Sequence, residues 1–419
     1  MWYVADTEDH DFVDRQLIFP GHLDEKNIRY HQYCRRRFLQ EMATLRLVNK
    51  SFSSSASAQL FKHVIATFNT TLGISSLDSL RAISNSSYGT YVRHLDLGFS
   101  IEDVHSTGSH ERYVEEIGGL LPTLLTKLPN LSVLEVSGTP WDLPQGHRLM
   151  FTESIVSTLH YRPFSNLREL AITFPTTHDF SKLFLSDIDS EQTPIDDVLR
   201  NLRRLDLYVA AYKDRQQDPL PLVVLPKNAA YLDGSHTVHL LDLIKRACNL
   251  KSFALCSMAP LSFHDLKFHG SVRLESLRLE GVGMSSQKLV SLIKHFKDSL
   301  VRVQLFQVKI VSGTWQYVLT EASKTTRLLH FDVRESLIEM NNDVRLVNVS
   351  NHQDRVSLDE SALGNLQRRV NGNRQTAGFP PVTRSIYTST WRDNLEFEIK
   401  SLVSAGKMLP PTDPNYYPF

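Results

Sequence analysis

Cysteine is scarce in this chain of 419 residues. The three present, Cys34, Cys248 and Cys256, are too few and too scattered for a disulfide framework. None has the CxxC-type spacing of a zinc site, so free thiols in a reducing compartment, cytoplasmic or nuclear, are expected. Net charge is missing too. Lys plus Arg number 46 and Asp plus Glu number 46, a balance that argues against a coat for nucleic acid or an anionic membrane. No apolar run reaches the ~18 residues of a membrane span. Met1 to Asp14 is acidic, with no basic segment leading into an apolar one, so no secretory signal is expected. The sequence has no P-loop, no GxGxxG, no GxSxG and no HExxH. It therefore reads as a non-enzyme without a cofactor. The histidines are scattered, and neither His236 with His239 nor His10-Asp11 completes a ligand set, so no metal site is expected. Asp187, Asp189, Glu191, Asp196 and Asp197 read as a solvated loop and a helix start.

A repeat runs through the middle of the chain. The pattern LxxLxL, with conservative swaps, ends at Leu97, Val136, Ile172, Leu207, Leu255 and Leu279. Two weaker copies are Leu300 to Leu305 and Leu328 to Val333. Each copy alternates like a half-buried strand. Between copies lie segments of helical period, over 111–128, 154–161, 237–248, 286–297 and 315–323. One strand and one helix per unit cannot bury themselves alone. Stacked units bury both, which predicts an α/β solenoid with a parallel sheet on the concave face and helices on the convex face. The competing reading is a doubly wound α/β domain.

The stretch LESLRLEGV from Leu274, followed by Leu289, Leu292 and LVRVQL from Leu300, resembles a leucine-rich repeat of the helical, cysteine-containing kind. The Asn or Cys that caps the strand corner in that family is absent here. In such a strand, the residues flanking and between the inward leucines point onto the open sheet face. That rule nominates Asp96, Glu135, Glu169, Arg204, Asp206, Tyr208, Arg278, Glu280, Arg302, Phe306, Asp332 and Arg334. Mixed charge with aromatic and Arg anchors suits a protein target better than a phosphate backbone.

The segment 35–65 resembles the second half of an F-box, on Leu45, Arg46, Leu47, Val48, Lys50, Phe52, Leu60, Phe61 and Val64. Only Pro20 and a nearby acid match the first half, and the helix over 28–43 is strongly basic. The resemblance implies a fungal-type F-box protein with a leucine-rich-repeat-like solenoid. Its function would be substrate recognition in an SCF-type ubiquitin ligase. Leu45, Leu47, Val48, Phe52, Leu60 and Phe61 would hold an adaptor of the Skp family, and the solenoid would hold a protein target. The alternative is a ligase-independent interaction scaffold whose N-terminal helices only cap the solenoid.

Pro219 to Pro226 reads as an extended apolar segment, Val344 to Val349 as a last strand, 371–381 as a polar linker and 390–405 as an amphipathic helix. The expected division is a poorly structured start at 1–27 and a helical F-box-like module at 28–68. An irregular solenoid at 69–350, a C-terminal helical cap at 351–405 and a Pro-rich tail at 406–419 follow.

Overall fold

The computed structural model describes residues 40, 42–68, 75–99, 107–139, 143–161, 164–184, 195–209, 237–263, 266–334, 337–340, 343–345 and 360–381. The stretches 1–27, 219–226 and 390–419, with the readings placed on them, lie outside the described residues, as do 346–349. Two compact units are present: Met1–Leu60 with Asn371–Phe419, and Phe61–Val370.

In the first unit, helix α1 spans Lys50–Leu60. It starts at Asn49, whose Oδ1 accepts the Phe52 N–H at 3.0 Å. A side-chain oxygen at this place satisfies a donor that the first helical turn would otherwise leave orphaned.

Among the described residues, the second unit is built on twelve strands in one sheet. Strands β1 (His63–Phe68), β2 (His94–Phe99), β3 (Val133–Val136), β4 (Glu169–Phe174) and β5 (Arg204–Val209) run parallel, each beside the next. Strands β6 (Ser252–Ser262) and β7 (Ser276–Ser285) continue the series. The register aligns the repeat's leucines in columns. Val64, Leu95, Leu134, Leu170, Leu205, Phe253, Leu277, Val303 and Phe331 form one, and all are buried. The eight LxxLxL copies are thus eight rungs of a solenoid-like α/β stack. A ninth rung precedes them. The stretch His63–Phe68, assigned to the helical module on sequence, is strand β1, because Val64, Ala66 and Phe68 bury alternate side chains.

Helices α2 (Ser75–Ser84), α3 (Thr107–Leu125), α4 (Gln145–Tyr161), α5 (Ile195–Asn201) and α6 (Val238–Arg246) lie between strands, as parallel pairing requires. Two more, α7 (Ser286–His295) and α8 (Trp315–Ala322), follow β7 and a strand at Lys309–Ser312. Their starts are written in sequence. Ser285 Oγ accepts the Lys288 N–H at 3.2 Å, and Thr314 Oγ1 accepts the Tyr317 N–H at 3.3 Å. Each turns one apolar stripe inward, for example Leu289, Val290, Leu292 and Ile293 in α7.

Strand β7 forks the sheet. Its first half pairs with β8 (Arg302–Phe306), and its second half pairs with β9 (Lys309–Ser312). Strand β10 (His330–Arg334) extends the β8 branch. Strand β11 (Leu337–Met340) extends the β9 branch and pairs antiparallel with β12 (Asp343–Arg345). The corner of the fork is Gly281, at φ +65°. Helix α9 covers Glu360–Thr376, so 371–376, expected as linker, is helical.

A continuous backbone seam links the rungs. The carbonyl just before each strand accepts two N–H groups from the next rung. Lys62 O takes Arg93 and His94, Arg93 O takes Ser132 and Val133, and Ser132 O takes Arg168 and Glu169. The series continues through Arg168, Arg203, Lys251, Glu275 and Val301. Asn side chains tie the turns beside it. Nδ2 of Asn130, Asn166 and Asn249 donates to the carbonyls of Thr90, Pro129 and Arg200 in the rung before.

At the N-terminal end of the stack, buried Tyr113 from α3 joins two strands. Its hydroxyl donates to Ala66 O at 2.5 Å and accepts the Gly98 N–H at 3.2 Å. Burial pushes this phenol far above its ordinary pKa. Tyr113→Phe keeps the ring among Phe68, Phe99 and His110 but abandons both backbone groups. The expected loss is about 1–3 kcal/mol, read from the shift in urea midpoint against wild type.

Candidate functional site

The residues nominated from the strand rule do share one sheet face. Register places Asp96, Glu135, Asp206, Arg278 and Asp332 in one column. Glu169, Arg204 and Arg302 stand in the column before it, and Tyr208, Glu280, Phe306 and Arg334 in the column after. The Arg334 side chain lies outside the described residues. The face differs from the expected open one in its burial. Arg204, Asp206, Phe306 and Asp332 are buried, while Glu135, Glu169 and Arg302 are half-buried.

Within this face the charges satisfy one another. Arg204 donates through Nε and Nη2 to Asp206 Oδ2, at 3.0 and 2.6 Å, and its Nη1 lies 3.7 Å from Glu169 Oε2. Burial alone would lower the Arg204 pKa, but Asp206, with Glu169 and Glu135, outweighs it and raises the value. Arg278 Nη2 donates to Glu280 Oε2 at 2.7 Å, and the guanidinium lies over the Phe306 ring, 5.2 Å from its centroid. Both pairs are two residues apart on one strand, where side chains point to the same face. Cys256 sits in the same region. Burial pushes its thiol well above the ordinary value, which leaves no thiolate nucleophile there.

The first three rungs hold a cluster that the sequence reading missed. The His63 and His94 rings stack with centroids 3.7 Å apart and planes 5° from parallel. One carboxylate spans them. Asp96 Oδ2 is 2.8 Å from His63 Nε2, and Oδ1 is 2.7 Å from His94 Nε2. Glu135 Oε1 stands 3.3 Å from the same His94 nitrogen. Burial acts to lower the His94 pKa, but the charges and hydrogen bonds of Asp96 and Glu135 push it up to about 9. Burial works to raise the Asp96 carboxyl, while His94 and His63 hold it well below the usual carboxylate range. The signal was present in sequence only as HVIATF and HLDLGF, 31 residues apart. It became visible once the first was read as a strand in register with the second.

The nominated adaptor residues divide. Leu47 is 87% exposed, Val48 60% and Phe52 50%. Leu45 and Leu60 are half-buried. Phe61 belongs to the second unit and stacks on Tyr88 with centroids 4.5 Å apart. The backbone turns at 46–48, and Asn49, which stands where the F-box pattern has Cys, starts a new helix.

Among the described residues, no helix is long and apolar enough to cross a membrane. No family model matches the chain. No curated protein matches it either. Among solved structures, it is similar to an internalin from Listeria monocytogenes. The identity is 12% and the TM-score 0.32, over 78% of this chain and 77% of that one, too low a score to weigh on fold or function.

Proposed function

We propose that the chain is a protein-interaction scaffold that serves as the substrate-recognition subunit of an SCF-type ubiquitin ligase. The observation that carries the reading is the exposure of Leu47, Val48 and Phe52. Single exposed apolar residues are ordinary, but three large ones within six positions are the kind that partners cover. They stand at F-box-like positions where an adaptor of the Skp family would dock. A protein target would meet the solenoid face through the groups that remain reachable, Glu135, Glu169 and Arg302. Neither role requires chemistry from this chain.

The test is direct binding of the full chain to a purified Skp-family adaptor, measured by surface plasmon resonance. Leu47→Asp and Phe52→Asp each place a charge where an apolar contact is desolvated. Each is expected to weaken binding at least tenfold, about 1.4 kcal/mol, with an unchanged thermal melt. Absence of binding by the wild-type chain, or binding indifferent to both variants, would leave the ligase-independent scaffold as the surviving reading.

A further inference from the structure

We propose that His63, His94 and Asp96 form a structural site for one divalent transition-metal ion of the zinc type. Two adjacent rungs supply the donors. Register sets His63 beside His94 and Asp96 beside Glu135. One donor atom from each of His63, His94 and Asp96 falls within 4.8 Å of the others. Glu135 stands beside this group, its oxygen 3.3 Å from the His94 nitrogen.

The donor chemistry selects the ion. Two imidazole nitrogens and a carboxylate oxygen suit Zn²⁺ and its neighbours, whereas Mg²⁺ and Ca²⁺ take oxygen alone. Binding displaces the His94 proton, and two neutral imidazoles with the carboxylates of Asp96 and nearby Glu135 then carry a charge of minus two, which one divalent cation cancels. Exposure is also suitable. The His94 side chain is 7% exposed and that of Asp96 22%, so the site is recessed yet open to an entering hydrated ion. Around a tetrahedral ion with bonds of about 2.0–2.1 Å, donors stand about 3.3 Å apart. The present nitrogen–oxygen separations of 2.7 and 2.8 Å are shorter than that. Loading thus moves the Asp96 carboxylate outward by about half an ångström and turns the stacked rings until their lone pairs converge. The ion would staple β1 and β2 together at the end of the stack.

The test uses the full chain, stripped with a chelator and dialysed, then titrated with Zn²⁺ by calorimetry and followed by thermal melting. One equivalent should bind and raise the midpoint. His63→Gln and His94→Gln should each weaken binding by more than tenfold, since even outer partners of metal ligands cost ~10–100-fold. His147→Gln, on α4, should bind as wild type. A second readout does not depend on variants that fold. In wild type, histidine-selective NMR should show two of the 17 imidazoles perturbed by the first equivalent. No binding below millimolar Zn²⁺, unchanged binding in His63→Gln with His94→Gln, or perturbation spread over many histidines would overturn the assignment.

Discussion

Asp206→Ala is expected to lower the unfolding free energy by roughly 3–5 kcal/mol, the cost of stripping a buried cation of its counter-ion. Asp206 is 1% exposed and its Oδ2 accepts both the Nε and Nη2 protons of Arg204. Its neighbours in the column are Ala171 and Ala254, so no second acid stands ready to replace it there. Glu169 remains, but at 3.7 Å and half-buried it compensates only in part. The double variant Arg204→Met with Asp206→Leu removes both charges and fills the space beside the alanines. Apolar replacement of a whole buried pair is often neutral or stabilising, so the double variant should be much more stable than Asp206→Ala alone. Urea unfolding followed by circular dichroism compares the two. Equal losses would mean that volume, not the orphaned charge, sets the cost.

Gly281→Ala should be nearly as damaging, by on the order of 3 kcal/mol. At φ +65° an L-residue pays about 1–2 kcal/mol for the left-handed conformation. A Cβ there would also sit 2.1 Å from the Ser257 carbonyl oxygen, a backbone atom that cannot swing aside. This is the corner at which β7 leaves β8 and joins β9, so relief would have to come from the sheet itself. Gly119→Ala is the control. It lies in α3 with no heavy atom within 4 Å of the added carbon, so it should be neutral or gain about 0.5–1 kcal/mol. The difference in thermal midpoint between the two variants measures the corner.

The leucine positions carried most of the architecture. Leu95, Leu134, Leu170 and Leu205 lie opposite one another because each occupies the fourth place of its pattern, and a one-residue slip would turn every leucine to the other face. Strand β1 was hidden because HVIATF lacks the leading leucine and because its last apolar residues also fit a helix ending. The Asn of N-L-x-x-L-x-L at 130, 166 and 249 was in plain view, and its tie to the preceding rung follows from geometry that a motif alone does not carry. On the sheet face, alternation was enough to say which residues face the same way. It could not say that Arg204 would close on Asp206, or that His63 would meet His94, because pairing and burial depend on which rungs become neighbours.

The backbone seam has a consequence for how the protein comes into being. Among the described residues, every strand from β2 onward pairs with a partner that precedes it in the chain: β8 and β9 with β7, β10 with β8, β11 with β9 and β12 with β11. Order of synthesis and order of stacking therefore coincide. As the chain leaves the ribosome, each new strand finds its carbonyl template already folded, and none has to wait for residues still to be made. A nascent chain that stalls before the fork at β7 would hold a stack with a single growing edge.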